Sequence, residues 1–176
     1  TMHPHSEGGL PGLLLNDWQS FLAFAMGFLT ILICWINHHL VFEYIKKTDS
    51  KLMWVNGFVL LVVTFTPFPT AVLAEYFESE SNTALAFFGF NYFMMSVAAY
   101  GICAYPFNKH LIEDGSREVF NGFRLMYAYS IIYTLLTFFV CFFSVAAAIF
   151  FYCILFGVFA FPKEFSKKLR VRKNRK

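Results

Sequence analysis

Residues 125–161 read LMYAYSIIYTLLTFFVCFFSVAAAIFFYCILFGVFAF, an apolar run without a single charged residue. As one helix this run is about 55 Å long, at about 1.5 Å per residue. The hydrocarbon core of a bilayer is only about 30 Å thick. A single crossing demands extreme tilt. It also carries the eight Lys and Arg residues of 163–176 to the side of the acidic segment around Glu75, Glu78 and Glu80. Two short spans remove both conflicts. The sequence therefore predicts spans at 125–141 and 145–161, with a turn near Phe142–Val145 that no Gly or Pro marks. Pro162 ends the second span, because proline cannot continue the helical hydrogen-bond ladder.

Working outward, three further apolar stretches occupy 18–42, 52–74 and 83–105. None contains Asp, Glu, Lys or Arg. Each exceeds the about 20 residues that a crossing needs. The reading is an all-α membrane protein, a bundle of five transmembrane helices. Residues 1–17 form a polar extracellular segment, 18–161 the helical domain and 162–176 a basic cytoplasmic tail. Composition agrees: 58% of the 176 residues are hydrophobic and 14% charged, too apolar for an ordinary soluble domain. The strand alternation of a barrel is lacking, and open sheets do not occur in lipid.

Charge sets the expected orientation. Lys46, Lys47 and Lys51 fall in one polar segment, Lys109, Arg117 and Arg124 two stretches later, and the rest in the tail. Cytoplasmic loops carry the Lys/Arg excess. The C-terminus is thus expected inside and the N-terminus outside, an arrangement that leads us to expect another helix upstream of Thr1. The tail, with Lys167, Lys168, Arg170 and Arg172, suits a surface of anionic lipid. Nucleic acid is not an expected partner. Trp18, Tyr44, Trp54, Tyr76 and Tyr105 fall at expected interfaces, where amphipathic rings prefer to sit.

Polar residues inside spans need a reason. Trp35, Asn37, His38 and His39 cluster near one end of the first span. They read as a hydrogen-bonding node tying this helix to neighbours, a pH-sensitive element, or groups solvated at headgroup level. Pro67 and Pro69 interrupt the second span, either to shape packing or to free carbonyls at membrane depth. Asn56, Asn91, Ser96 and Ser144 read as interhelical hydrogen bonders. Cys34, Cys103, Cys141 and Cys153 sit in apolar stretches without CxxC spacing and read as small hydrophobes. No metal site or cofactor is expected. No span carries a mid-membrane carboxylate, and no TVGYG loop, HExxH, GxSxG or P-loop is present. The chain is not expected to be an enzyme.

Trp35-Ile36-Asn37-His38-His39, the basic turn with Lys46 and Lys47, Leu52-Met53-Trp54-Val55-Asn56, and Pro67-Phe68-Pro69-Thr70 followed by Leu73, Glu75 and Tyr76 together resemble one family. It is that of the prokaryotic relatives of transmembrane protein 175, the endosomal and lysosomal potassium channel. The resemblance implies a six-helix subunit and a homotetramer around a central pore in a bacterial cytoplasmic membrane. It implies passive potassium flow past an apolar constriction on a first helix that carries Phe-Ser-Asp. No Phe-Ser-Asp occurs here, so the five spans correspond to the family's second to sixth helices. Trp35, Asn37, His38 and His39 are then implied to hold that first helix. Two other expectations stand beside the channel: a non-conducting accessory scaffold, and a small-solute transporter.

Overall fold

The computed structural model describes residues 18–162, and these form six helices. They are α1 (Trp18–Phe42), α2 (Ser50–Phe65), α3 (Pro67–Tyr76), α4 (Ser81–Lys109), α5 (Arg117–Val140) and α6 (Val145–Ala160). The basic tail expected to face lipid, Lys167, Lys168, Arg170 and Arg172 included, lies outside the described residues.

The long apolar run is indeed two helices. α5 ends at Val140 and α6 begins at Val145. The turn needs no glycine, because its backbone closes through helical-type bonds: Phe142 N to Phe139 O, Phe143 N to Val140 O, and Ser144 N to Val140 O. Ser144 then caps α6, accepting from Ala147 N at 3.3 Å. This corrects its sequence reading: Ser144 satisfies an orphan amide of its own helix and does not bridge two helices. α5 starts eight residues before the expected boundary, at Arg117, so its first two turns carry Glu118 and Arg124.

The second span is broken at Thr66. α2 and α3 meet there, with Pro67 opening α3, where its missing N–H is an orphan position anyway. Together 50–76, 81–109, 117–140 and the part of α1 from Phe24 are each long and apolar enough to cross a membrane. α6 has 16 residues, about 24 Å of helix.

α4 is the centre of the bundle, packing most extensively against α5, then α2 and α3. α1 leans on α3, where Gly27 faces Thr70, and touches α6. Two apolar clusters form. One holds Val41, Val59, Ile102, Phe120, Phe123 and Met126. The other holds Leu73, Leu85, Phe88, Cys141, Ala148 and Tyr152. At Gly89 the helices approach so closely that an added Cβ would stand 2.0 Å from the Tyr152 hydroxyl.

The loops sort by charge. An antiparallel bridge between Ile45 and Ile112 joins the 43–49 and 110–116 loops at one end. Lys46 N and Lys47 N both donate to Leu111 O, and Glu113 N donates to Tyr44 O. Lys46, Lys47, Lys109 and Arg117 therefore gather there, with Glu43, Glu113 and Glu118 among them. The loop after α3 and the α5–α6 turn lie at the other end, beside the second cluster.

Candidate functional site

α1 carries a polar seam on its inner side, and each polar group on it reaches a different helix. Thr30 donates to Met26 O at 2.7 Å, so its oxygen accepts from the Tyr92 hydroxyl of α4. Asn37 is buried. Its amide donates to Ile33 O and to Phe159 O of α6, both at 2.8 Å, and its carbonyl accepts from the Tyr127 hydroxyl of α5 at 3.3 Å. Both donors are thereby used. His38 Nε2 lies 2.7 Å from Asn56 Oδ1 of α2. A carbonyl can only accept, so this bond assigns the proton to Nε2. The imidazole stacks between Trp35, at 6.3 Å, and Phe42, at 4.4 Å.

Beneath the seam is a cavity of about 80 Å³, lined among others by Ile33, Asn37, Tyr92, Met95, Ser96 and Phe159. That exceeds the about 10–15 Å³ that one water requires. Away from its packing on α3, α1 is thus held beside a cavity by separate hydrogen bonds.

The four residues singled out on α1 separate. Asn37 and His38 bond to other helices. Trp35 is 64% exposed and touches the seam only through its stack on His38. His39 turns outward, 4.0 Å from Glu43 just past the end of its helix. Pro67 and Pro69 converge on the second node. Asn91 of α4 donates to Thr66 Oγ1 at 3.0 Å, and Thr70 Oγ1 donates to Thr66 O at 2.7 Å. The break is a packed, hydrogen-bonded corner; Thr66, Pro69, Thr70 and Asn91 are all buried. Ser96 accepts a long bond, 3.5 Å, from Thr134 of α5.

Sequence reading passed over Thr30, Thr66, Tyr92 and Tyr127. A hydroxyl flanked on both sides by apolar turns was the available signal. It also missed the clamp at the basic end, where Asp49 caps α2 by accepting from Leu52 N at 2.8 Å and takes the Tyr105 hydroxyl at 2.6 Å. The Tyr105 bond, then the Leu52 amide, hold the Asp49 carboxyl below its ordinary range. Among the described residues no group of three or more His, Cys, Asp or Glu could hold a metal ion.

The family model of the endosomal/lysosomal potassium channel TMEM175 matches residues 2–67. A potassium channel of Chamaesiphon minutus is 50% identical over 68 residues, 39% of this chain and 34% of its own length. A potassium channel of Streptomyces collinus is 41% identical over 91 residues, 52% of this chain and 44% of its own. The crystal structure of a homologue of the lysosomal potassium-selective channel TMEM175, also from Chamaesiphon minutus, superposes with a TM-score of 0.77 at 29% identity, covering 88% of this chain and 79% of that one. Over residues 2–67 the chain is thus similar to the TMEM175 family of potassium channels.

The chain spans between a third and a half of the length of those two curated relatives in the matched region. Its likeness to the solved structure extends over most of the helical bundle. The family-matched part contains α1, α2 and Pro67, and with them Trp35, Asn37, His38 and Asn56. The protein is integral to a membrane, and the curated relatives it matches are potassium channels.

Proposed function

We propose that this chain is a subunit of a potassium-selective channel, conducting passively through an oligomeric pore with an apolar constriction in a bacterial cytoplasmic membrane. The likeness to a potassium-selective channel across most of the bundle carries this reading. The family resemblance adds a homotetramer, with the Lys/Arg-rich end cytoplasmic. In this reading α1–α6 form the scaffold around the permeation path, and potassium is the permeant ion rather than a cofactor. The polar seam acts mechanically: it fixes α1 against four helices, while Trp35 offers an aromatic face to a neighbouring helix. An apolar constriction favours the ion that sheds its hydration more readily, and it closes by dewetting.

The test is ion flux into liposomes reconstituted with the purified 176-residue chain. Potassium flux well above sodium flux is the expected result. A folded, inserted protein without flux would show that this chain alone does not build the pore, and would favour the accessory-scaffold reading.

A further inference from the structure

The basic end holds an arrangement separate from the polar seam of α1. Phe107 lies in the last turn of α4. Arg117 opens α5 and Arg124 lies seven residues on, the same face two turns later. The guanidinium carbons of Arg117 and Arg124 stand 4.4 and 4.0 Å from the Phe107 ring centroid. One ring therefore engages two guanidinium cations, and an anion held beside both would offset their mutual repulsion.

No carboxylate among the described residues takes that role. Glu113 pairs with Lys46 at 3.1 Å, and Asp49 is engaged by Leu52 and Tyr105. Asp114 and Glu118 are exposed and form no ion pair there. Arg117 donates only to His110 Nδ1, at 2.7 Å. Arg124, half-buried, has its ring contact and no hydrogen-bond acceptor among the described residues. A guanidinium presents five donors in a planar fork that matches phosphate oxygens. Arg124 lies about 10 Å along α5 from Arg117, at about 1.5 Å per residue, and so close to the level of lipid headgroups.

The surface beyond it points to a lipid rather than a free anion. Continuing along the face of α5 from Arg124, Ile132 is 59% exposed, Leu135 39% and Phe139 53%. A phosphate on the arginines leaves an acyl chain to run down that apolar stripe. We propose that Arg117 and Arg124, organised by Phe107, bind the phosphate of an anionic phospholipid in the leaflet facing the basic end.

The experiment is native mass spectrometry of the full chain, released from detergent across a titration of phosphatidylglycerol, with phosphatidylcholine as the zwitterionic comparison. Wild type is expected to retain phosphatidylglycerol about tenfold more tightly than Arg117→Gln/Arg124→Gln, with phosphatidylcholine retention unchanged. Phe107→Leu should fall between. Arg117→Lys/Arg124→Lys keeps both charges and guards against misfolding; it should lose part of the effect, because Lys lacks the fork. Control variant Lys47→Gln/Lys51→Gln, which removes two exposed charges from the same end, should retain the tight lipid as wild type does. Equal retention by wild type and a folded double Gln variant overturns the proposal. So does an equal loss in the Lys47→Gln/Lys51→Gln control, which indicates general surface attraction, and so does displacement of the lipid by inorganic phosphate, which indicates a free-anion site. None of these readouts depends on ion flux.

Discussion

α1 and α4 are both long, uncharged through their middles and apolar, yet they are held in the bundle by different means. Half of the most apolar stretch of α4 is buried, against 22% of that of α1. α4 is gripped by shape: Phe88 and Cys103 are fully enclosed, and Gly89 admits the Tyr152 ring. α1 is gripped by points: Thr30, Asn37 and His38 each bond a different partner helix over a cavity. The reason is the solvent. Lipid tails are as apolar as leucine, so burying Phe or Leu between helices gains little. Close packing and interhelical hydrogen bonds are what remain. A helix with the first is rigidly placed. A helix with mainly the second can be released a bond at a time.

The largest expected effect tests the packed helix. Gly89→Ala places a methyl where the Tyr152 hydroxyl stands, and overpacking of this kind costs about 1–3 kcal/mol. The thermal midpoint of the purified protein should drop, and Tyr152→Phe in the same chain should restore most of it by removing the hydroxyl. A Gly89→Ala protein as stable as wild type would mean that α4 is less tightly gripped than α1.

Next is the best-bonded point on α1. Asn37→Leu removes its bonds to α5 and α6 together, each worth about 0.6 kcal/mol on average and about 1.7 at most. The midpoint should fall by less than with Gly89→Ala. Labelling of the cavity-lining Cys34 by a small thiol reagent should speed up as α1 loosens. Unchanged labelling would show that α1 is held by packing after all.

His38→Ala and Trp35→Ala sharpen the contrast further. His38 has one interhelical bond, to Asn56, so its loss should lower subunit stability by well under the Asn37 value. Trp35 is mostly exposed, so its loss should leave subunit stability unchanged and show instead in the stability of the oligomer. If Trp35→Ala unfolded the subunit while the oligomer held, the assignment of inner and outer faces on α1 would be wrong.

The smallest effect concerns the Asp49 clamp on α2. Its folded carboxyl titrates below the ordinary range, so its contribution is fully present above about pH 3.9, the unfolded value. It is lost as pH falls through the lower folded value. The stability gap between wild type and Asp49→Asn should be constant from neutral pH to about 4 and narrow below that. A gap that changes between pH 5 and 7 would point to another group.

Much of this was legible in the chain. The five apolar runs could be counted against bilayer thickness, because an uncharged run of known length has few places to go. The split of 125–161 followed from that length together with the charge of the tail. Pro67 and Pro69 marked the break at Thr66, because two prolines so close together remove two ladder hydrogen bonds from one stretch of helix. Asn37, His38 and Asn91 stood out as polar groups in apolar runs. Their partners did not. Nothing in the sequence pairs Asn37 with Phe159, since a backbone carbonyl is anonymous. Tyr92 and Tyr127 looked like any of nine tyrosines.

By itself, then, the sequence determined that the protein crosses a membrane and where its apolar runs break into helices, because hydrophobic length, charge and proline act locally. Only the tertiary structure decided that α4 is the hub and α1 the tethered helix, that Ser144 caps rather than bridges, and that Arg117 and Arg124 meet on Phe107. Those outcomes depend on which faces meet. In lipid, apolarity marks every face alike, and geometry alone chooses among them.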